Sequence, residues 1–235
     1  MLKNVSLKHN GKFLFKDISL PFKKGSWVSI LGESGVGKST LIRIIAGLDN
    51  FGHITGIVNN NFKVAWMGQE DLLYPWLNVL DNILLPITLK NKKPTTDEIN
   101  KAKRLLNKVG IRNKLNQYPN QLSGGQKQRV ALVRTLMIDA DLILMDEPFS
   151  ALDAMTKRDC QNLFYEMLTD KTVVMVTHDV MESTRLSDEV FVMIGEAPYL
   201  KKGVSLKQPA PRNFNSDESI QASKKLWQIL EKSYV

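Results

Sequence analysis

Between Gly32 and Thr40 the chain reads Gly-Glu-Ser-Gly-Val-Gly-Lys-Ser-Thr, set between an apolar strand-like run, Trp27 to Leu31, and a helical pattern, Leu41 to Ala46. Glycines at 32, 35 and 37 let successive backbone N–H groups converge on one point, and the start of a helix adds positive potential there. Strand, glycine loop and helix in that order form a cradle for phosphate oxygens. The spacing Gly-x4-Gly-Lys-Ser gives Lys38 reach to the β- and γ-phosphates and Ser39 a hydroxyl for Mg²⁺, with Ser34 and Thr40 completing the loop. Gly47 is placed to end the helix at its C′ position.

The rest of the chain is organised around this cradle. Residues 1 to 31 read as β-rich, and a further strand is expected at Lys63 to Met67, ending at Gly68-Gln69. After residue 136 strands and helices alternate: strands at 142–145, 172–176 and 190–194, helices near 155–168 and 180–186. That alternation predicts a mainly parallel sheet covered by helices. Residues 71–136 read instead as an inserted helical subdomain, with Thr95 or Thr96 as an N-cap and Ala102, Leu105, Leu106 and Val109 on one apolar face. The expected class is α/β: a P-loop core with an antiparallel β subdomain at the N-terminus. Its core is 1–70 plus 137–200, its helical subdomain 71–136 and its C-terminal extension 201–235. Residues 196–216 read as irregular, and 217–232 as a helix with Ile220, Trp227 and Leu230 inward.

Two further segments carry chemistry. Leu142-Ile143-Leu144-Met145 leads a strand into Asp146-Glu147-Pro148, which either only ends the strand and opens a loop or places Asp146 to hold Mg²⁺ through water and Glu147 to act as general base for a water attacking the γ-phosphate. Leu122-Ser123-Gly124-Gly125-Gln126 has Ser123 as an N-cap and two glycines that keep side chains off the helix start. It is a second phosphate-facing helix terminus, which makes sense if it faces nucleotide held by another copy of the chain.

With these motifs in this order the chain resembles the ATP-binding subunits of ABC transporters over essentially its whole length. The resemblance implies that Ser123, Gly124, Gly125 and Gln126 form the signature turn over ATP bound to the opposite subunit. It also implies that Gln69 is the Q-loop glutamine sensing Mg²⁺ and the attacking water, that Ser150 to Asp153 is the D-loop, and that His178 is the switch histidine assisting Glu147. The residue stacking on adenine falls at His9, with Phe13 and Phe15 as nearby alternatives. Two copies would then close head-to-tail around two ATP, driving transmembrane permease subunits in a system that includes a solute-binding protein. Asp71 to Val79 offers apolar and aromatic groups to grip a permease helix, or else subdomain core. Pro75 to Leu80 and Leu206 to Arg212 resemble the importer branch for nitrate, sulfonates, taurine or thiamin pyrimidine precursors.

Composition fits this setting. Of the residues 43% are hydrophobic and 24% charged, with one cysteine, Cys160, and no apolar run near the roughly 20 residues that cross a bilayer. No secretory leader is evident, so the expected location is the cytoplasmic face of the membrane, held peripherally. The net charge of +8 favours anionic partners. Without a Lys/Arg block of five or more, it reads as scattered solvated surface, and no direct nucleic-acid contact is expected. The rival reading is an ABC-type ATPase working as a mechanical switch on nucleic acid or ribosomes.

Overall fold

A computed structural model describes residues 2–48, 52–58 and 62–232. Strands β1 (Leu2–His9) and β2 (Lys12–Leu20) form a hairpin whose turn, Asn10-Gly11, has both residues at positive φ, 49° and 79°. Asn-Gly is the dipeptide that reaches this geometry at least steric cost, and its twist suits flanking strands. After β3 (Trp27–Leu31) and α1 (Lys38–Ile45) comes β4 (His53–Val58), which pairs with β1 to give an antiparallel sheet of order β2-β1-β4.

The second sheet has order β5-β6-β7-β3-β8-β9. Its strands are β5 (Val64–Met67), β6 (Leu142–Asp146), β7 (Thr172–Thr177), β3, β8 (Glu189–Ile194) and β9 (Tyr199–Ser205), all parallel to their neighbours except β9, which runs antiparallel to β8. Every residue of β3, β6 and β7 is buried, as expected for central strands covered on both faces. Alternation then divides them. Leu142, Leu144, Val174 and Val176 pack with Leu41, Ile42 and Ile45 of α1 and with Leu7 and Phe15 of the small sheet. Ile143, Met145, Val173 and Met175 face the opposite layer, with Phe149 and Phe164 in edge contact at 4.9 Å.

Helices α2 (Val79–Thr88), α3 (Thr96–Lys108) and α4 (Gly124–Met137) make up the inserted segment, and each start is capped by a side chain: Asn78, Thr95 and Ser123. Thr95 and Ser123 form full capping boxes with Glu98 and Gln126, an arrangement in which each cap contributes roughly 1 kcal/mol. Ala102, Leu106 and Val109 are buried, and Leu105 packs at the edge of the same core. Helices α5 (Ala154–Met167), α6 (Val180–Leu186) and α7 (Asp217–Glu231) complete the chain. Gly47 ends α1 at φ 71°, its N–H donating to Ile44 O while Leu48 N–H donates to Arg43 O, both at 3.0 Å.

Two expectations differ from what is observed. The segment 196–216 is not wholly irregular, since β9 lies within it and carries the sheet past residue 200. In α7 Leu230 is buried, but Ile220 and Trp227 are 40% and 53% exposed. The inward stripe is Ser219, Ala222, Ser223, Leu226 and Leu230, whose small members let α7 lie close to α6, with Thr184 Oγ1 and Ser223 Oγ 3.4 Å apart.

Candidate functional site

The parallel strands all end at one edge of the sheet: Leu31 is level with Thr177, Asp146 with Val176, and Met67 with Met145. The loops leaving these strands therefore gather at that edge, where open parallel sheets collect ligands. A cavity of 240 Å³ there is lined by Ser34, Gly35, Gly37, Lys38, Ser39, Thr40, Gln69 and Glu147. Gly37, φ 106°, is the N-cap of α1 and supplies no side-chain cap, and the first turn of the helix holds no acidic residue, so the positive helix start beside the cavity has no anion of its own. Gly32 has no room for a side chain, because a Cβ there would lie 2.8 Å from Met193 O.

Lys38 is 4% exposed, and its ammonium donates to Gly32 O at 2.8 Å and Glu33 O at 2.7 Å, folding back over its own loop. Burial pushes this ammonium below the ordinary lysine range, while Glu147, Asp146 and Glu33 pull it back up. Ser39 Oγ donates to Asp146 Oδ1 at 2.9 Å. Burial raises the Asp146 carboxyl above its usual range, against the lowering effect of that hydrogen bond. Glu147 Oε1 lies 3.8 Å from Lys38 Nζ, and its Oε2 is 3.0 Å from His178 Nδ1. The Glu147 backbone sits at φ 45°, a left-handed conformation costing a non-glycine residue about 1–3 kcal/mol, and its N–H is held by Val176 O at 2.9 Å. These oxygens suit a hard divalent cation, and a carboxylate bonded to an imidazole beside a phosphate cradle can activate water.

The residues expected at the site thus separate into two groups. Gly32, Ser34, Gly35, Gly37, Lys38, Ser39, Thr40, Gln69, Asp146, Glu147 and His178 come together. Ser123, Gly124, Gly125, Gln126 and Asp153 do not line this cavity. Ser123 and Gly124 are exposed at the start of α4, and Asp153 is exposed as the N-cap of α5, accepting from Thr156 N at 3.1 Å. Gly125 is the contact between the two helices, since a Cβ there would lie 2.4 Å from Thr156 Cγ2. Among the aromatic candidates Phe15 is fully buried core, which removes it from stacking. Phe13 is half-buried with Lys8 Nζ 4.4 Å from its ring centroid, and His9 is exposed at the end of β1.

Sequence reasoning missed the residues that brace the site. Asn82, fully buried, accepts from Tyr74 N and donates to the carbonyls of Tyr74, Leu77 and Asn78, while Arg134 donates to Asp71 O and Leu72 O at 2.7 Å. Together they fix the loop after Gln69 with Leu73 packed inward and Tyr74 and Trp76 exposed, their rings 5.1 Å apart. The available signal was an amide beside Val79 and Ile83 on a buried helix face. Next to His178, Lys157 of α5 bridges Asp179 at 2.6 Å and Glu182 at 3.0 Å. Burial pushes the Glu182 carboxyl up to about 7 from its ordinary 4.5, with Lys157 opposing. A raised acid stabilises the fold fully below 4.5 and loses that contribution as pH rises through 7. Glu182→Gln should therefore gain thermal stability relative to the parent across that interval, and parallel melting curves would check it.

Comparison with known proteins agrees with this geometry. The chain is 47% identical over 194 residues, 82% of its length and 80% of the relative's, to an uncharacterized ABC transporter ATP-binding protein of Haemophilus influenzae. It is 39% identical over 218 residues, 90% of its length and 85% of the relative's, to the aliphatic sulfonates import ATP-binding protein SsuB 1 of Rhodococcus jostii. Among solved structures, a dimeric ATP-binding cassette in a post-hydrolysis state with ADP and Pi superposes with TM-score 0.68 at 33% identity, covering 91% of this chain and 99% of that one. A putative metal-chelate type ABC transporter in an inward-facing conformation shares the fold at TM-score 0.72 and 22% identity, with 95% and 87% covered. The family model described as ABC transporter matches residues 15–150, the stretch that runs from the small sheet through the phosphate loop to the Asp146-Glu147 pair, and the chain belongs to that family.

Proposed function

We propose that the chain is the ATP-hydrolysing subunit of a membrane importer for a small solute, driven by head-to-tail closure of two copies around ATP. The observation that carries this reading is the single cavity where Lys38, Ser39, Gln69 and Glu147 meet, with Asp146 and His178 bonded to its walls. In this reading Lys38 leaves its loop carbonyls for the β- and γ-phosphates, and α1 supplies backbone donors. Glu147 takes the proton of the attacking water while His178 orients it. Ser39, Asp146 and Gln69 are oxygen donors that would hold Mg²⁺. Bound there, Mg²⁺ would neutralise charge developing on the phosphates.

Ser123 to Gln126 and Asp153 lie away from the cavity of their own protomer, which supports their assignment to ATP held by a second copy. Adenine stacking is assigned to His9 or Phe13. The segment 71–136 acts as the helical subdomain between this core and the permease, and exposed Tyr74 and Trp76 provide amphipathic aromatic anchors for a permease helix. Among the described residues no helix is long and apolar enough to cross a membrane. In this reading the permease subunits seat the protein peripherally at the cytoplasmic face of the membrane. Relatives named for sulfonate import support the importer branch and, with it, a solute-binding protein in the complete system. No observation favours a mechanical switch on nucleic acid.

The test is purification of the chain from detergent-extracted membranes. Recovery with a hydrophobic permease, weakened at least about tenfold by Trp76→Ala, is the expected result. Recovery with ribosomes or DNA and no permease would overturn the reading.

A further inference from the structure

The net charge is not scattered, although no Lys/Arg block of five or more marks where it gathers. Residues 90–114 carry nine Lys and Arg but two carboxylates, so this short stretch holds +7 of the chain's +8. One of those carboxylates, Glu98, is occupied by the cap of α3, accepting from Thr95 N at 2.8 Å and Thr95 Oγ1 at 3.0 Å. On the outer side of α3 and the turn after it, Asn100, Lys103, Arg104, Asn107, Lys108 and Arg112 line a concavity of 400 Å³ without a single acidic group. Spacings of three and four place the α3 members on one helix face. Among the described residues none of the four cations forms an ion pair. The concavity presents side chains rich in N–H donors, although Lys108 also borders a second concavity that contains Asp139, Glu166 and Asp170.

We propose that this concavity is a docking surface for the phosphate headgroups of anionic phospholipid, holding the helical segment against the membrane independently of the permease. The choice of a lipid surface rests on the transport-subunit reading above and on one compositional fact. Residues 90–114 contain no Phe, Tyr or Trp, whereas surfaces for single-stranded nucleic acid interleave aromatics on which bases stack. Guanidinium and ammonium groups bind phosphate through charge-assisted hydrogen bonds, and each cation near an anionic leaflet strengthens association about fivefold. The attraction extends about 8 Å in physiological salt, so a surface must come close to feel it. A pocket that lets a headgroup enter meets that condition.

The experiment is flotation of the purified full chain with vesicles of phosphatidylcholine alone or with about 30 mol % phosphatidylglycerol. Binding to the anionic vesicles, absent with phosphatidylcholine and lost at about 0.5 M salt, is expected. Replacing Lys103, Arg104, Lys108 and Arg112 together by Gln should weaken it at least about a hundredfold, whereas a control with Lys201, Lys207, Lys224 and Lys225 changed to Gln should keep most of it. Equal losses in both variants, no binding to anionic vesicles, release by millimolar glycerol 3-phosphate, or preferential capture by RNA would each overturn the proposal. ATP turnover is measured on the same samples and should match the parent. Turnover without flotation sinks the docking surface alone, and flotation without turnover in any form sinks the transport-subunit reading instead.

Discussion

Glu147→Gln should bind ATP with parent-like affinity, hydrolyse it about 10²- to 10⁴-fold more slowly and accumulate as a dimer. The amide keeps the shape of the carboxylate but cannot accept a proton from water. It also removes one negative charge from beside Lys38, so the phosphate site becomes more positive and retains triphosphate. Two protomers that cannot complete hydrolysis have no route to lose the γ-phosphate joining them, and closure persists. Single-turnover assays with size-exclusion chromatography in ATP check both parts. Parent-like hydrolysis would remove Glu147 from the role of base.

Lys38→Ala is expected to abolish measurable nucleotide binding at concentrations that saturate the parent, a loss of at least about a hundredfold. Its ammonium is the cation in the cavity wall, and two of its hydrogen bonds also hold the loop closed over Gly32 and Glu33. Truncation therefore removes both a phosphate partner and the clasp that shapes the cradle. Glu147 would also face the incoming phosphates with no cation between them. Equilibrium binding of a fluorescent ATP analogue, with circular dichroism to confirm an intact fold, measures the loss. Affinity within about threefold of the parent would overturn the assignment.

The core of the fold was legible because its signals are local. The buried strands 142–145 and 172–176 are short continuous apolar runs, and the glycine loop stands between a strand and a helix. β9 escaped because it is an edge strand: Lys201 and Lys202 face solvent and Gly203 packs closely on Leu226, so the segment shows no apolar alternation. The α7 face differs from the expected one because two stripes compete at helical spacing. The stripe with the larger side chains, Ile220 and Trp227, lost to one whose serines and alanine permit close approach to α6. At the site, the motif residues could be named one at a time because each motif is contiguous. Arg134 and the Lys157 bridge could not, since their partners are distant in sequence and meet only in the tertiary fold, whereas Asn82 bonds to residues four to eight positions before it.

Gly125 leaves no space between the start of α4 and Thr156 on α5, whereas a Cβ at Gly124 would meet Leu152 Cδ2 at an ordinary contact distance of 3.5 Å. The turn at Ser123 and the helix that begins after Asp153 therefore approach most closely at Gly125. A side chain at position 125 would have to push the two helices apart, so the distance between the Ser123 turn and the Asp153 cap rests on one absent carbon atom.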